Sequence, residues 1–305
     1  MLGLGLAASS AAPVFLPKDD WQKLYSKVSP EVVDLQPFMG KGETVELAQS
    51  YVERLNSAFN TLRAQIEDYR PDAIIVVGAD RGEMFSRINI PTFSIYTGKE
   101  APAAQGVLDL PETIKGTVTI PCDSGLANVL LDGLVSREFE MSWGSEFKPV
   151  GNKGNYLSHS IAAPIQRLVP KLNIPIIPLF INVYSPPLPS AQRCWDLGLA
   201  IREAMAERPE KIAILASGGL SYDPAARWVD EPFDRWILDN LQGGKPEKLK
   251  RLFTFDSENL RGPTGEIRAW ITVAATSQSK AKVVDYIPAR QTKTGLAFAY
   301  WPPTR

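Results

Sequence analysis

The run Asp72-Ala-Ile-Ile-Val-Val-Gly78 is apolar from end to end between its acid and its glycine. A strand that shows one face to water alternates polar and apolar residues. A strand buried on both faces does not alternate, and burial on both faces marks a parallel sheet covered by helices. Ile212, Ile214 and Leu215 form a second short run of this kind, within Lys211-Ile-Ala-Ile-Leu-Ala-Ser217. Asn173 to Asn182 reads as a third. Its prolines, Pro175 and Pro178, argue for a strand start or a sheet edge, because proline cannot donate to the ladder.

Helical patterns lie between these runs. From Thr44 to Asp68, Ala48, Tyr51, Val52, Leu55, Ala58, Phe59, Leu62 and Ile66 recur at three- and four-residue spacing. Ser124 to Val135 reads as a helix with Leu126, Val129, Leu130 and Leu134 inward. Ser160 to Leu168 follows, then a helix that Ser190 caps and that runs to about Glu207. Pro232–Leu241, Lys245–Phe253 and Glu266–Thr276 read as three more. Thr92–Tyr96, Gly116–Ile120, Phe139–Trp143, Val283–Ile287 and Gly295–Trp301 complete the strand-like pieces. There is no internal repeat, low-complexity tract or linker. Residues 1–305 therefore read as a single α/β domain, a central mostly parallel mixed sheet flanked by helices.

Charge and composition exclude several classes. A net charge of −1 points to neither nucleic acid nor an acidic membrane surface as a partner. No apolar run approaches the roughly 18 residues of a spanning helix. Leu2 to Phe15 is apolar and rich in Ala and Ser, but no Lys or Arg precedes it, so it reads as a buried first strand and a loop rather than a leader. Only Cys122 and Cys194 occur, which suits a reducing, cytoplasmic setting. Gly3-Leu-Gly5-Leu-Ala-Ala8 nominally fits a dinucleotide fingerprint, but that motif needs a strand before it, and only two residues precede Gly3.

Open α/β sheets place their sites at the C-terminal mouths of the strands. Two loops qualify. Ser217-Gly-Gly-Leu-Ser-Tyr222 follows one buried run, and Ala79-Asp-Arg-Gly-Glu83 follows another. Each reads equally as a plain turn, the second with surface ion pairs. The chain has one histidine, His159, after a long Gly- and Lys-rich loop. One imidazole cannot build a two-His-one-carboxylate iron site. A zinc site would need scattered cysteines. A Ser-His-Asp triad lacks its G-x-S-x-G elbow.

Five segments carry a family resemblance: Ile174-Pro-Ile-Ile-Pro-Leu-Phe-Ile-Asn182, Pro187-Leu-Pro-Ser-Ala-Gln-Arg193, Ala216-Ser-Gly-Gly-Leu-Ser221, Gly265-Glu-Ile-Arg-Ala-Trp270, and the ending Gly295 to Trp301. The chain resembles the class III (LigB-type) extradiol ring-cleavage dioxygenases, the group that includes the catalytic subunit of protocatechuate 4,5-dioxygenase. That resemblance implies a LigB-like sheet and, in the family, one Fe(II) that binds a catecholic substrate and O₂. It also implies departures at the metal. The position of the first iron histidine matches Ala11, or Ser10 with a shift of one. The second matches Arg81. The carboxylate ligand is retained as Glu266. The histidine that closes Gly-Gly-Leu-Ser-His is Tyr222, and a further active-site histidine is retained as His159.

Alanine offers no ligand atom, and a guanidinium stays protonated. By charge logic an Arg81–Glu266 ion pair replaces the metal. The leading expectation is a metal-independent acid/base enzyme with no cofactor, acting on a small aromatic or phenolic acid or its ring-cleavage product. His159 and Tyr222 would be catalytic; Arg81, Glu266, Ser10 and Ser221 would bind substrate. A second expectation is a non-catalytic subunit that pairs with an active homologue. A third is a working dioxygenase with unrecognised ligands among Asp80, Glu83 and Glu266. A homo-oligomer, or a hetero-oligomer with a homologous subunit, is the expected assembly.

Overall fold

The computed structural model describes residues 1–8, 44–86, 88–105, 116–146, 156–221, 229–253, 262–290 and 294–303. In chain order these form β1 (Leu2–Ala7), α1 (Val45–Tyr69), β2 (Ala73–Gly78), β3 (Phe93–Tyr96), β4 (Glu100–Ala104), β5 (Thr117–Pro121), α2 (Ser124–Val135) and β6 (Met141–Gly144). Then come α3 (His159–Leu168), β7 (Ile176–Ile181), α4 (Ala191–Ala204), β8 (Ile212–Ser217), α5 (Glu231–Gln242), α6 (Ile267–Ser277), β9 (Lys282–Ala289) and β10 (Thr294–Trp301).

Eight strands make one sheet in the order β6-β3-β7-β2-β8-β1-β10-β9, and β4 pairs with β5 apart from it. The centre, β7-β2-β8-β1, is parallel. β3 joins β7 antiparallel, and β10 joins β1 antiparallel. The result is a mostly parallel mixed sheet with helices on both faces, as the unalternated apolar runs require.

Within each buried strand, successive side chains still go to opposite faces. Leu2, Leu4, Leu6, Ile74 and Val76 meet Leu55, Phe59 and Leu62 of α1 and Ile161 and Ile165 of α3. Ile75, Val77, Ile212 and Ile214 meet Leu130 of α2, Leu197 of α4 and Ile271 of α6. Thr44 starts α1 by accepting the Leu47 N–H at 3.2 Å, which satisfies one of the donors a helix leaves open. Gly5 lies inside β1, where a Cβ would sit 2.8 Å from the Trp270 ring. The Gly3/Gly5 pair is thus room for an indole on a sheet face, not a nucleotide loop. Among the described residues, no helix is long and apolar enough to cross a membrane.

Three local expectations change. Pro178 lies inside β7, which sits between β2 and β3 rather than at an edge. The register with β3 covers only Leu179 to Ile181, so Pro178 is paired on one side alone. Val129 is 37 % exposed. The buried stripe of α2 is Leu126, Ala127, Leu130, Leu131 and Leu134, which turns Val129 away from the sheet. Lys245–Phe253 is not an α-helix but a short 3₁₀ turn, Pro246–Arg251.

Candidate functional site

The chain leaves β2 at Gly78 and is wound at once around one side chain. The Asp80 carboxylate accepts the N–H groups of Gly82 (2.9 Å), Glu83 (3.2 Å), Met84 (3.0 Å) and Phe85 (3.1 Å). These donors hold residues 81–85 in a fixed loop at the sheet's mouth. Burial and the neighbouring Glu83 carboxylate push the Asp80 carboxyl up, against the pull of those N–H groups.

Arg81 projects from this loop toward Tyr184 and Glu266. Its Nε donates to the Tyr184 hydroxyl at 2.8 Å, and its Nη2 lies 3.7 Å from Glu266 Oε1. The Tyr184 hydroxyl donates in turn to Glu266 Oε1. Burial, the Glu266 charge and the bond to it push the Tyr184 phenol well above its ordinary range, while Arg81 pulls the other way. Tyr184 is therefore a neutral donor. Tyr184 comes from the loop after β7, and Glu266 from the 3₁₀ turn Gly262–Glu266 that opens α6. Gly218, just past β8, has φ +89°, and a Cβ there would collide with Glu266 Oε2. The absence of a side chain at position 218 lets the carboxylate reach the mouth.

A second cluster forms around Glu83 of the same loop. Glu83 is buried, 4 % exposed. Its Oε1 meets His159 Nδ1, the first residue of α3. Its Oε2 takes the Arg81 N–H at 3.2 Å and the Ser158 hydroxyl at 2.8 Å. Ser158 Oγ also lies 2.9 Å from Ala79 O; its one proton goes to the Glu83 carboxylate, because an anionic oxygen is the stronger acceptor. Burial raises the Glu83 carboxyl, but the bond and charge of His159 and the Ser158 bond outweigh it and hold the group below its ordinary value.

A cleft of about 600 Å³ opens beside Arg81 and Tyr184, walled by Phe85, Phe180, Ile90 and Pro91. Phe85 and Phe180 meet edge to face at 5.5 Å between ring centroids. Among the described lining residues, the apolar and aromatic walls carry the Arg81 guanidinium together with Asp80 and Asn182, a lining that suits a small aromatic molecule with polar substituents. His159 and Glu266 do not line this cleft.

Of the residues singled out in the sequence, the structure brings Arg81 and Glu266 together and pairs His159 with Glu83. Ser221, expected to bind substrate, is engaged within the fold. It is buried, its N–H and hydroxyl both go to Asp234 at 2.7 Å, and its Oγ accepts the Asp230 N–H at 3.1 Å. Those bonds fasten the start of α5 and leave Ser221 no free group for a ligand. Ser10, Ala11 and Tyr222 lie outside the described residues. Tyr184 went unread in the sequence, although it stands two residues after Asn182, at the end of a buried run where sites gather. Glu83 was read as one acid in a polar loop and as a candidate ligand, not as the partner of His159.

Among the described residues, no three His, Cys, Asp or Glu side chains are grouped to hold a metal ion. Glu266, the one carboxylate at the family's ligand position, is bonded to a phenol and faces a guanidinium. A divalent ion beside Glu266 would face the Arg81 guanidinium.

Comparison with known proteins agrees with this architecture. A 2,3-dihydroxyphenylpropionate/2,3-dihydroxicinnamic acid 1,2-dioxygenase of Photorhabdus laumondii is 28% identical over 194 residues, 62% of this chain and 54% of that protein. Gallate dioxygenase of Pseudomonas putida is 30% identical over 162 residues, 50% of this chain and 45% of that protein. The chain thus spans about half the length of these curated relatives. The crystal structure of an uncharacterized protein from Escherichia coli K12 superposes with a TM-score of 0.57 at 14% identity, covering 99% of this chain and 100% of that one, which shows a shared fold. Residues 37–297 match the family described as the catalytic LigB subunit of aromatic ring-opening dioxygenase, and the chain belongs to that family.

Proposed function

We propose that this chain is a LigB-family enzyme that has exchanged iron for a fixed cation and moves protons on an aromatic or phenolic acid, or on the product of ring cleavage. The observation that carries this reading is Arg81 set against Glu266 through the Tyr184 hydroxyl. Arg81 has a protonated fork beside an aromatic-walled cleft. It grips a substrate carboxylate or phenolate by charge-assisted hydrogen bonds. Glu266 and Tyr184 hold the fork in place. His159 lies outside the cleft, bonded to Glu83 next to the Arg81 loop, and is the proton-transfer group for substrate atoms that reach past Arg81; Tyr222, which follows Ser221 in sequence, is the second. Such a set suits tautomerisation, hydration, decarboxylation or C–C cleavage. The names of the relatives, dihydroxyphenylpropionate and gallate dioxygenases, supply the class of compound.

The test is a turnover screen of hydroxybenzoates, dihydroxycinnamates and their ring-cleavage products, run without oxygen on metal-stripped protein. Turnover is expected. Arg81→Met should raise KM about 10- to 100-fold, the worth of a charge-assisted bond. His159→Ala should lower kcat about 10²- to 10⁴-fold. Activity that appears only with added ferrous ion and oxygen would overturn the reading. Activity only in a complex with an iron-binding homologue would make the chain a supporting subunit instead.

A further inference from the structure

We infer that Glu83 is the positioning residue of this site: it fixes His159 as the Nδ1–H tautomer and so leaves the lone pair on Nε2. The inference rests on the reading of His159 as a proton-transfer group, but its structural part stands alone. A neutral imidazole carries its proton on one nitrogen, and the partner of the other nitrogen decides which. Free histidine side chains favour the proton on Nε2. In this fold Nδ1 faces a carboxylate oxygen, which only accepts. The proton is thus drawn to Nδ1.

The carboxylate is itself held from several sides. Its other oxygen takes two donors from two different elements, the Arg81 N–H and the Ser158 hydroxyl. Ser158 immediately precedes His159, so one carboxylate spans the backbone that aims Arg81 and the helix start that carries the imidazole. Glu83 couples the anion-gripping group to the proton-transfer group without entering the cleft. It is 4 % exposed, so water does not compete for its oxygens.

This geometry makes a specific statement about Glu83→Gln. The amide has one acceptor oxygen and one donor nitrogen. The Arg81 N–H and the Ser158 O–H, with the Asp80 carboxyl also beside Glu83, favour the oxygen on the side away from His159. The amide NH₂ then faces His159 Nδ1, which must accept, and the ring proton moves to Nε2. A near-isosteric change should therefore reverse the tautomer rather than merely loosen the ring.

The single histidine makes this directly readable. Full-length protein with ¹⁵N-labelled histidine gives one imidazole pattern, in which Nε2 couples to both ring protons and Nδ1 to only one. At alkaline pH, where the ring is neutral, the wild-type protein should show a protonated Nδ1 and a bare Nε2, and Glu83→Gln the reverse. A wild-type ring protonated on Nε2, or on both nitrogens throughout, would overturn the inference. So would a Glu83→Gln spectrum with the wild-type tautomer. The wild-type spectrum decides the first point even where the variant folds poorly. Where the turnover screen finds a substrate, Glu83→Gln should lower kcat about 10²- to 10⁴-fold with KM within about threefold. A reversed tautomer with no turnover in any protein would retain Glu83's role and reject the proposed function.

Discussion

Arg81 Nη2 lies 3.7 Å from Glu266 Oε1, and both side chains reach the same Tyr184 hydroxyl. The three groups come from the ends of β2 and β7 and from the turn before α6. Each strand end delivers one member to the sheet's mouth, as open α/β sheets do. A guanidinium bound this way is oriented before any ligand arrives, which lowers the ordering cost of binding.

Removing the shared hydroxyl tests that arrangement. Tyr184→Phe keeps the ring that stands 5.5 Å from the Arg81 guanidinium carbon but loses both hydrogen bonds. We expect a loss of about 1–3 kcal/mol in chemical denaturation. Ligand affinity should also weaken, because Arg81 would be free to swing. Stability equal to wild type would show that the hydroxyl is not holding the pair.

Asp80 is the framework of the loop. Asp80→Ala strands four N–H groups that one carboxylate satisfied. The expected cost is at least about 2 kcal/mol, with Asp80→Asn intermediate, because its one amide oxygen keeps two of these bonds while its NH₂ faces the other two N–H groups. Hydrogen exchange at residues 82–85 should accelerate in Asp80→Ala. Unchanged exchange there would contradict a loop organised by this side chain.

Much of this was legible in the sequence, and the division has a physical basis. Ile74 to Val77 and Ile212 to Leu215 announced buried strands because local hydrophobicity alone reveals them. Pro178 misled because proline's rule concerns the ladder, and which strands stand beside β7 is not local information. Arg81 and Glu266 could be paired in advance by charge logic at family positions. Tyr184 could not, since its partners lie 103 and 82 residues away. The same holds for Glu83 and His159, 76 residues apart. Ser221 looked available because it follows two glycines, and only the fold shows Asp234 beneath it.

Gly218 carries a separate expectation. At φ +89°, a side chain is strained, and a Cβ would strike the Glu266 carboxylate. Gly218→Ala should cost about 2 kcal/mol or more and displace Glu266 from Tyr184. Thermal unfolding and the tyrosine absorbance of the variant would report both. A variant as stable as wild type would mean that Glu266 has another place to go.

The Asp234 network sets a pH dependence. Burial pushes this carboxyl up to about 6, against the bonds from Ser221 and the Tyr286 hydroxyl. In the unfolded chain it titrates near its ordinary value of 3.8. Between about pH 4 and pH 6, the folded state holds a proton the unfolded state has lost, so stability falls as pH rises through that window. The contribution is on the order of 3 kcal/mol. Asp234→Asn should flatten the stability profile between pH 4 and 6. An identical slope in the two proteins would place the dependence elsewhere.

The proposed charge exchange at position 81 is tested most directly by titrating ferrous ion into metal-stripped protein under anaerobic conditions and counting the iron retained. We expect no stoichiometric binding in the wild-type protein and none gained or lost in Glu266→Gln. Close to one tightly held ferrous ion per chain, released by Glu266→Gln, would contradict the exchange.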